Sequence, residues 1–190
     1  MSDKNKKQVI GLFGFGAVGE GLYHVLQNSH TTNAVIKRIC VKDRHKKRGI
    51  GSEIFTFDAN DILNDPEINL VVELINDAEA SFEIVKSALL KGKSVVTGNK
   101  KMLAFNLPLL VEIQQKTGTA LLYDASACGS IPVIRNLEEY YDNDLLLSIT
   151  GILNGSSNFV LTKVFNENQS YGEALAKAQQ LRFAESDPTL

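Results

Sequence analysis

Short apolar runs alternate with longer amphipathic stretches over most of the chain. The apolar runs predict buried strands, and the apolar residues at helical spacing between them predict helices. The predicted strands lie at residues 9–13, 34–41, 69–75, 94–97 and 119–123, and the predicted helices at 17–27, 79–90 and 103–116. This alternation predicts a parallel sheet that is covered by helices on both faces and joined by right-handed crossovers.

The pattern changes after Tyr123. Residues 124–130 form a small-residue loop, and Pro132 suits the first turn of a helix that runs to about residue 141. Apolar alternation predicts a strand at 145–153, and two helices follow at 156–165 and 171–181. We therefore expect an α/β protein, with a Rossmann-type doubly wound domain at 1–123 and a partial α+β catalytic domain at 124–190.

Composition and net charge exclude some classes of partner. The chain has 20 Lys+Arg against 22 Asp+Glu, a net charge of −2, which argues against nucleic acid or an anionic membrane as the main partner. Its apolar runs are far shorter than the ~20 residues that cross a bilayer. The charged, polar residues 1–8 lack the hydrophobic region of a signal peptide, so we expect a cytoplasmic protein.

Three glycines lie between the first predicted strand and the first predicted helix. Gly14, Gly16 and Gly19 have the Gly-x-Gly-x-x-Gly spacing of a dinucleotide-binding turn, in the structural context that this turn requires. In such a turn the first glycine permits a tight bend, the second admits the pyrophosphate and the third lets the helix pack on the strand. A glycine turn that serves only packing remains the alternative.

The end of the second predicted strand decides between NAD and NADP in such folds, because a carboxylate holds the ribose 2′-hydroxyl and a cation accepts a 2′-phosphate. Five bases surround a single acid here, at Lys42, Asp43, Arg44, Lys46, Lys47 and Arg48. The excess of bases mildly favours NADP. The alternative is an ordinary solvated basic loop.

Four segments together indicate a specific family. They lie at residues 95–104, 123–132, 150–159 and 184–188, in the order and at the spacing of the signature segments of homoserine dehydrogenase. The chain resembles that family from about residue 9 to its end, and residues 151–158 are the most specific piece. Members interconvert homoserine and aspartate 4-semialdehyde with NAD(P)H, at the branch point toward threonine, methionine and isoleucine.

The resemblance implies a role for particular residues at the cofactor. Lys100 would lie beside the nicotinamide and the substrate as a catalytic residue, together with Glu185; a plain surface lysine is the alternative for Lys100. The residues implied to bind the cofactor are Gly14, Phe15, Gly16, Ala17, Val18, Gly19, Lys42, Thr97 and Lys100.

The resemblance also implies a substrate site and a cation site. Gly155, Ser156, Phe183 and Glu185 match the positions that hold homoserine, although Ser156 has an ordinary N-cap as its alternative and Glu185 a solvated acid. A monovalent cation, usually sodium, would be held mostly by backbone carbonyls. The residues implied for it are Asp124, Ala127, Gly129 and Ile131, and a loop without a metal is equally open.

Several positions depart from the family pattern. Asn76 and Asp77 replace a glycine pair, Asp124 replaces a glutamate and Ser130 replaces a glycine. Arg182 and Phe183 stand where the family has Gly-Tyr. We expect these departures to change ligand affinity more than they change the fold.

In the family, further acidic residues of the substrate site and the proton-donor lysine follow the Asp-Pro-Thr turn at 187–189. We therefore expect a fragment that binds NAD(P) weakly and turns over poorly, from a full-length protein that forms a homodimer. The alternatives are an oxidoreductase for another semialdehyde, and an NAD(P)-sensing or interaction module.

Overall fold

A six-stranded parallel sheet organises the first part of the computed structural model, which describes residues 7–29, 33–128, 131–143, 145–151, 154–181 and 183–184. The strands are β1 (Gln8–Phe13), β2 (Ala34–Cys40), β3 (Phe55–Thr56), β4 (Leu70–Glu73), β5 (Ser94–Thr97) and β6 (Leu121–Leu122). Their order across the sheet is β3-β2-β1-β4-β5-β6. Because the order reverses at β1, the strand ends open a crevice between β1 and β4.

Seven helices accompany these strands in the described ranges. They are α1 (Ala17–Asn28), α2 (Asn60–Leu63), α3 (Ala78–Leu90), α4 (Lys100–Thr117), α5 (Val133–Glu139), α6 (Gly155–Glu167) and α7 (Tyr171–Gln180). Two 3-10 turns lie at Ser52–Ile54 and Asp124–Ser126. None of the helices in the described ranges is long and apolar enough to cross a membrane.

Two apolar clusters cover the two faces of the sheet. Successive residues of a strand point to opposite faces, so Phe13 packs with α3 and α4 on one face while Leu12 packs with α1 on the other. Val71 and Val72 of β4 divide between the clusters in the same way. The doubly wound α/β fold predicted from the sequence is thereby confirmed.

The sequence pattern does not predict β3 and α2, which have two and four residues. Neither is long enough to show a hydrophobic period. Helix α4 begins at Lys100, three residues before the predicted start at residue 103. Asn99 determines the true start, because its side chain accepts a hydrogen bond from the backbone N–H of Met102 at 2.9 Å.

The predicted strand at 145–153 is wrong over its described part, because residues 145–151 form no strand. A strand needs a neighbour that pairs with its backbone groups, and the described residues after Ile134 provide no strand for it. Residues 152–153 lie outside the described residues. The side chains of Leu145 and Leu147 are 85% and 93% exposed, so the alternating pattern is present without its partner.

The chain divides into two compact units, Met1–Ile134 and Arg135–Leu190. The sheet belongs to the first unit. In the second, α6 packs against α7 around Val160, Ala174 and Ala178, which are buried. The domain boundary predicted after Tyr123 stays a prediction about domain organisation.

Candidate cofactor and substrate sites

The carboxyl ends of five strands lie side by side in the first unit. Strand register aligns Thr56, Cys40, Phe13, Glu73 and Thr97 in one row across the sheet. The loops that follow these residues therefore meet at one edge, where open α/β sheets bind their ligands. Burial raises the pKa of the Cys40 thiol in this row to about 11, with a contribution from nearby carboxylates, so the thiol keeps its proton at neutral pH.

The glycine turn after β1 has the geometry that its spacing predicts. Gly14 has φ +94°, a conformation that side chains disfavour, and a β-carbon there would lie 2.7 Å from the carbonyl oxygen of Leu74. A β-carbon on Gly19 would lie 2.4 Å from the carbonyl oxygen of Gly14, so α1 is packed against the turn. A β-carbon on Gly16 would meet no atom within 4 Å. The turn is thus closed on its protein side and open at Gly16.

Helix α1 begins at this open position. Gly16 is its N-cap and provides no side-chain hydrogen bond, so the backbone N–H groups of the first turn are not capped by a side chain. Ala17 and Val18 are exposed there. Uncapped N–H groups and the helix dipole favour an anion at this end.

Phe15 lies within the same turn, but its side chain belongs to the core. Only 8% of it is exposed, and its ring makes edge-on contacts with the rings of Tyr23 and Phe55, at centroid distances of 6.0 Å and 5.3 Å. Its backbone is therefore the part that can face a ligand.

The basic loop after β2 is held largely by its own residues. The Asp43 carboxylate accepts hydrogen bonds from the backbone N–H groups of His45 and Lys46, which lower the pKa of that carboxyl group. Arg48 donates to the carbonyl oxygens of Lys46 and Asp43 and lies over the ring of Phe55. Lys42 is exposed at the end of β2. The loop therefore presents cations while its one carboxylate is engaged internally.

Lys100 is exposed at the first position of α4, directly after the end of β5 and the N-cap Asn99. Thr97 is different, because its side chain is fully buried. Its hydroxyl donates a hydrogen bond to Glu73 and accepts one from the backbone N–H of Asn99. Lys100 is thus available at the ligand edge, while the Thr97 hydroxyl acts inside the protein.

The loop that was predicted to hold a cation begins with the 3-10 turn at Asp124–Ser126. The Asp124 carboxylate has one enclosed oxygen, Oδ1, with no hydrogen-bond partner in the described structure. Ala127 and Ile131 follow in the same loop, and Cys128 between them has φ +58°. Gly129, the fourth predicted ligand, lies outside the described residues, as does Ser130. An enclosed carboxylate oxygen without a donor is suited to a cation.

The second unit carries a separate depression at the start of α6. It has a volume of about 620 Å³ and is lined by Gly155, Ser156, Asn158, Phe159, Thr162, Lys163 and Phe183. The predicted substrate residues Gly155, Ser156 and Phe183 are therefore brought together. Glu185 and Arg182 lie outside the described residues.

Ser156 is not the N-cap of α6, so that alternative is wrong. The cap is Asn154, whose side chain accepts a hydrogen bond from the backbone N–H of Ser157 at 2.9 Å. The Ser156 hydroxyl instead donates to the carbonyl oxygen of Phe183, whose ring lies 5.0 Å from that of Phe159. Ser156 therefore connects the two sides of the depression.

Two family models cover these sites. Residues 14–124 match the NAD binding domain of homoserine dehydrogenase, and residues 132–190 match the homoserine dehydrogenase model. The chain belongs to the homoserine dehydrogenase family. The glycine turn and Lys100 fall within the first match, and the depression on α6 falls within the second.

Individual homoserine dehydrogenases agree with this assignment. The enzyme from Bacillus subtilis (strain 168) is 37% identical over 190 residues, covering 95% of this chain and 44% of the relative. The crystal structure of a homoserine dehydrogenase from Thiobacillus denitrificans superposes with a TM-score of 0.84 at 33% identity, covering 97% of this chain and 44% of that chain. The chain thus spans less than half the length of these relatives.

A third homoserine dehydrogenase, hyperthermophilic and archaeal, was solved in complex with NADPH. It superposes with a TM-score of 0.77 at 25% identity, covering 97% of this chain and 64% of that chain. The family's Rossmann-type nucleotide fold is therefore shared across distant members.

Two residues at the ligand edge were not singled out as site residues from the sequence. Glu73 is a fully buried carboxylate at the end of β4, and Asn99 caps α4 beside Lys100. The signal for Glu73 is a charged residue inside the otherwise apolar run at 70–75. For Asn99 it was the preference of asparagine for the position before a helix.

Proposed function

We propose that the protein is an NAD(P)-dependent homoserine dehydrogenase, which interconverts homoserine and aspartate 4-semialdehyde in the biosynthesis of threonine, methionine and isoleucine. The observation that carries the proposal is the glycine turn, which is closed around Gly14 and Gly19 and open at Gly16. Membership of the homoserine dehydrogenase family supplies the substrate.

The residues at the turn fit a dinucleotide. The open space beside Gly16 and the uncapped N–H groups of Ala17 and Val18 suit its pyrophosphate, with the backbone of Phe15 beside them. Bound NAD(P) supplies hydride transfer to and from the carbon that bears the substrate oxygen. Lys100 lies at the same edge, where its ammonium group would contact the nicotinamide side and the substrate.

In the second unit, Gly155 and Ser156 at the first turn of α6 would hold the substrate carboxylate through backbone N–H groups. Phe183 forms the apolar side of that depression. Glu185 is proposed from the family alone as the partner of the substrate ammonium group. The exposed apolar side chains of Leu145 and Leu147 support a homodimer, since apolar surface of this kind is typical of interfaces.

The activity test is oxidation of homoserine with NADP+ or NAD+ by the full-length form of the protein, followed through the absorbance of the reduced nicotinamide. We expect Lys100→Ala to lower kcat/KM by about 100-fold or more, because it removes a charge at the reacting atoms. Lys101→Ala changes the same charge one position further along α4 and serves as the matched control. Equal activity of the Lys100→Ala and Lys101→Ala variants would remove Lys100 from the catalytic site, and an absence of homoserine oxidation alongside tight nucleotide binding would favour a sensing module.

NADP is proposed as the preferred cofactor, because the loop after β2 presents exposed lysines while its carboxylate is engaged with backbone N–H groups. In parallel fluorescence titrations we expect NADPH to bind more tightly than NADH. Lys42→Ala should reduce that preference by about tenfold, the value of one charge-assisted contact. Lys116→Ala, at the far end of α4, controls for the change in net charge, and tighter binding of NADH would overturn the preference.

Sodium is proposed in the loop of Asp124, Ala127, Gly129 and Ile131. The support is the enclosed Asp124 Oδ1, which lacks a donor. Sodium chloride is expected to raise the melting temperature by about 2–4 °C relative to choline chloride. Asp124→Asn should abolish this difference, while Asp142→Asn, at an exposed site, should keep it. Identical melting in the two salts would argue against a sodium site.

A further inference from the structure

Glu73 is a buried carboxylate whose position the proposed reaction does not explain. It ends β4, lies between Phe13 and Thr97 in the row across the sheet, and is fully buried. It forms no ion pair with any lysine, arginine or histidine in the part of the chain that the structure describes. Burial of a carboxylate is unfavourable unless hydrogen bonds compensate it, and an apolar side chain would fill this core position at lower cost.

Three donors reach the carboxylate of Glu73. Oε1 accepts a hydrogen bond from the backbone N–H of Ile75 at 2.7 Å. Oε2 accepts from the hydroxyl groups of Ser81 and Thr97, both at 2.5 Å. The three donors come from three different segments: the turn after β4, helix α3 and the end of β5.

Two of these segments are joined a second time through Asn99. Its backbone N–H donates to the Thr97 hydroxyl at 3.1 Å, and its side-chain amide donates to the carbonyl oxygen of Ile75 at 3.0 Å. The hydrogen bonds therefore form a closed circuit through Glu73, Ile75, Asn99 and Thr97. The side-chain oxygen of Asn99 also caps α4 by accepting from Met102.

The circuit joins the two loops between which a nicotinamide would lie. Residues 74–77 follow β4 at the crevice next to the glycine turn, and Lys100 begins α4 immediately after Asn99. Ser81 is outside the circuit, since its hydroxyl connects Glu73 only to α3. A change in the Thr97 or Glu73 side chain would thus loosen both loops, whereas a change in Ser81 would not.

We propose that Glu73 is a positioning residue, which aligns the turn at 74–77 with the start of α4 so that the nicotinamide end of the cofactor meets Lys100. This inference rests on the nucleotide site proposed above. It assigns to a core residue a role in binding that neither its burial nor its place in the strand would indicate.

The test compares Thr97→Val with Ser81→Ala, using the whole protein. Each variant removes one hydroxyl donor from the same oxygen of Glu73, but only Thr97→Val breaks the circuit. Glu73→Gln keeps the side-chain length and leaves a single acceptor oxygen, so it serves as the second variant. The measurements are the Kd for NADPH, the melting temperature, and amide hydrogen exchange at Ile75 and Met102.

We expect Thr97→Val and Glu73→Gln to raise the Kd for NADPH about tenfold and to speed exchange at both amides, because misplaced binding groups lose much of their effect. Ser81→Ala should bind NADPH with the affinity of the parent protein, even if its melting temperature falls as far as that of Thr97→Val. Equal affinities and equal exchange in Thr97→Val and Ser81→Ala would overturn the proposal, as would faster exchange with unchanged affinity. If the parent protein binds neither NADPH nor NADH, the proposed function fails instead, and exchange at the two amides alone decides whether Glu73 couples the loops.

Discussion

Replacement of Gly16 with alanine is expected to weaken NADPH binding strongly while the protein remains folded. A β-carbon at this position meets no protein atom within 4 Å, and the backbone has φ −90° and ψ −162°, which alanine readily adopts. The same open space is where the cofactor pyrophosphate must approach the first turn of α1. The added methyl group would therefore collide with the ligand and with nothing else.

The expected loss is about 100-fold or more in Kd, which corresponds to roughly 3 kcal/mol of overpacking against a ligand that cannot move aside. The melting temperature without ligand should stay unchanged. Gly21→Ala is the matched control, because Gly21 lies on the same helix and its β-carbon also meets no atom within 4 Å. A Gly16→Ala variant that binds NADPH as the parent does would show that the turn serves packing alone.

The parallel sheet could be predicted because residues close together in the sequence indicate each of its longer strands. The longer strands of the first unit are apolar runs, and β1, β4 and β5 are each followed by a turn signal and a helix, so the type and order of these elements follow from the residues themselves. The two-residue strand β3 has no such signal, since it exists only through its pairing with Ile39 and Cys40 of β2. Elements that depend on pairing alone are the ones that local patterns miss.

The segment at 145–151 shows the opposite failure. Its leucines alternate as they would in a strand, but alternation records which face of a strand is buried and not whether a neighbour is present. The described residues of the second unit provide helices α6 and α7 and no strand to pair with it. The alternation is typical of a strand, but a strand forms only where a partner is present, and the prediction is therefore wrong for residues 145–151.

The candidate site likewise has one part that a local sequence pattern predicts and another part that it does not. The spacing of the glycines predicts the turn, because each glycine meets a backbone requirement of that turn and the spacing can be recognised in the sequence. The circuit around Glu73 could not be predicted, since it joins Glu73 to Thr97 across neighbouring strands. The same holds for Ser156, whose bond to the carbonyl oxygen of Phe183 replaces the helix cap that its position suggested.

Gly19→Ala is expected to weaken both the fold and cofactor binding, in contrast to Gly16→Ala. A β-carbon on Gly19 would lie 2.4 Å from the carbonyl oxygen of Gly14 and 3.2 Å from its carbon, so either α1 or the turn must move. Gly19 is buried, and its β-carbon would also lie 3.7 Å from the side chain of Leu12, so little space is available for that movement. Overpacking of this kind costs about 1–3 kcal/mol, and alanine in a helix returns at most about 1 kcal/mol.

We therefore expect a net loss of about 2 kcal/mol in the free energy of unfolding, seen as a fall of about 4–8 °C in melting temperature. The Kd for NADPH should rise as well, because displacement of Gly14 shifts the turn that faces the pyrophosphate. Gly21→Ala, two positions further along α1, should instead be neutral or slightly stabilising. Calorimetry and NADPH titration of the three variants together separate the roles of the turn: Gly16 for the ligand alone, Gly19 for the ligand through the fold. An unchanged melting temperature in Gly19→Ala would mean that α1 can shift away from the turn, and the close packing of Gly19 would then not be what holds the nucleotide site in place.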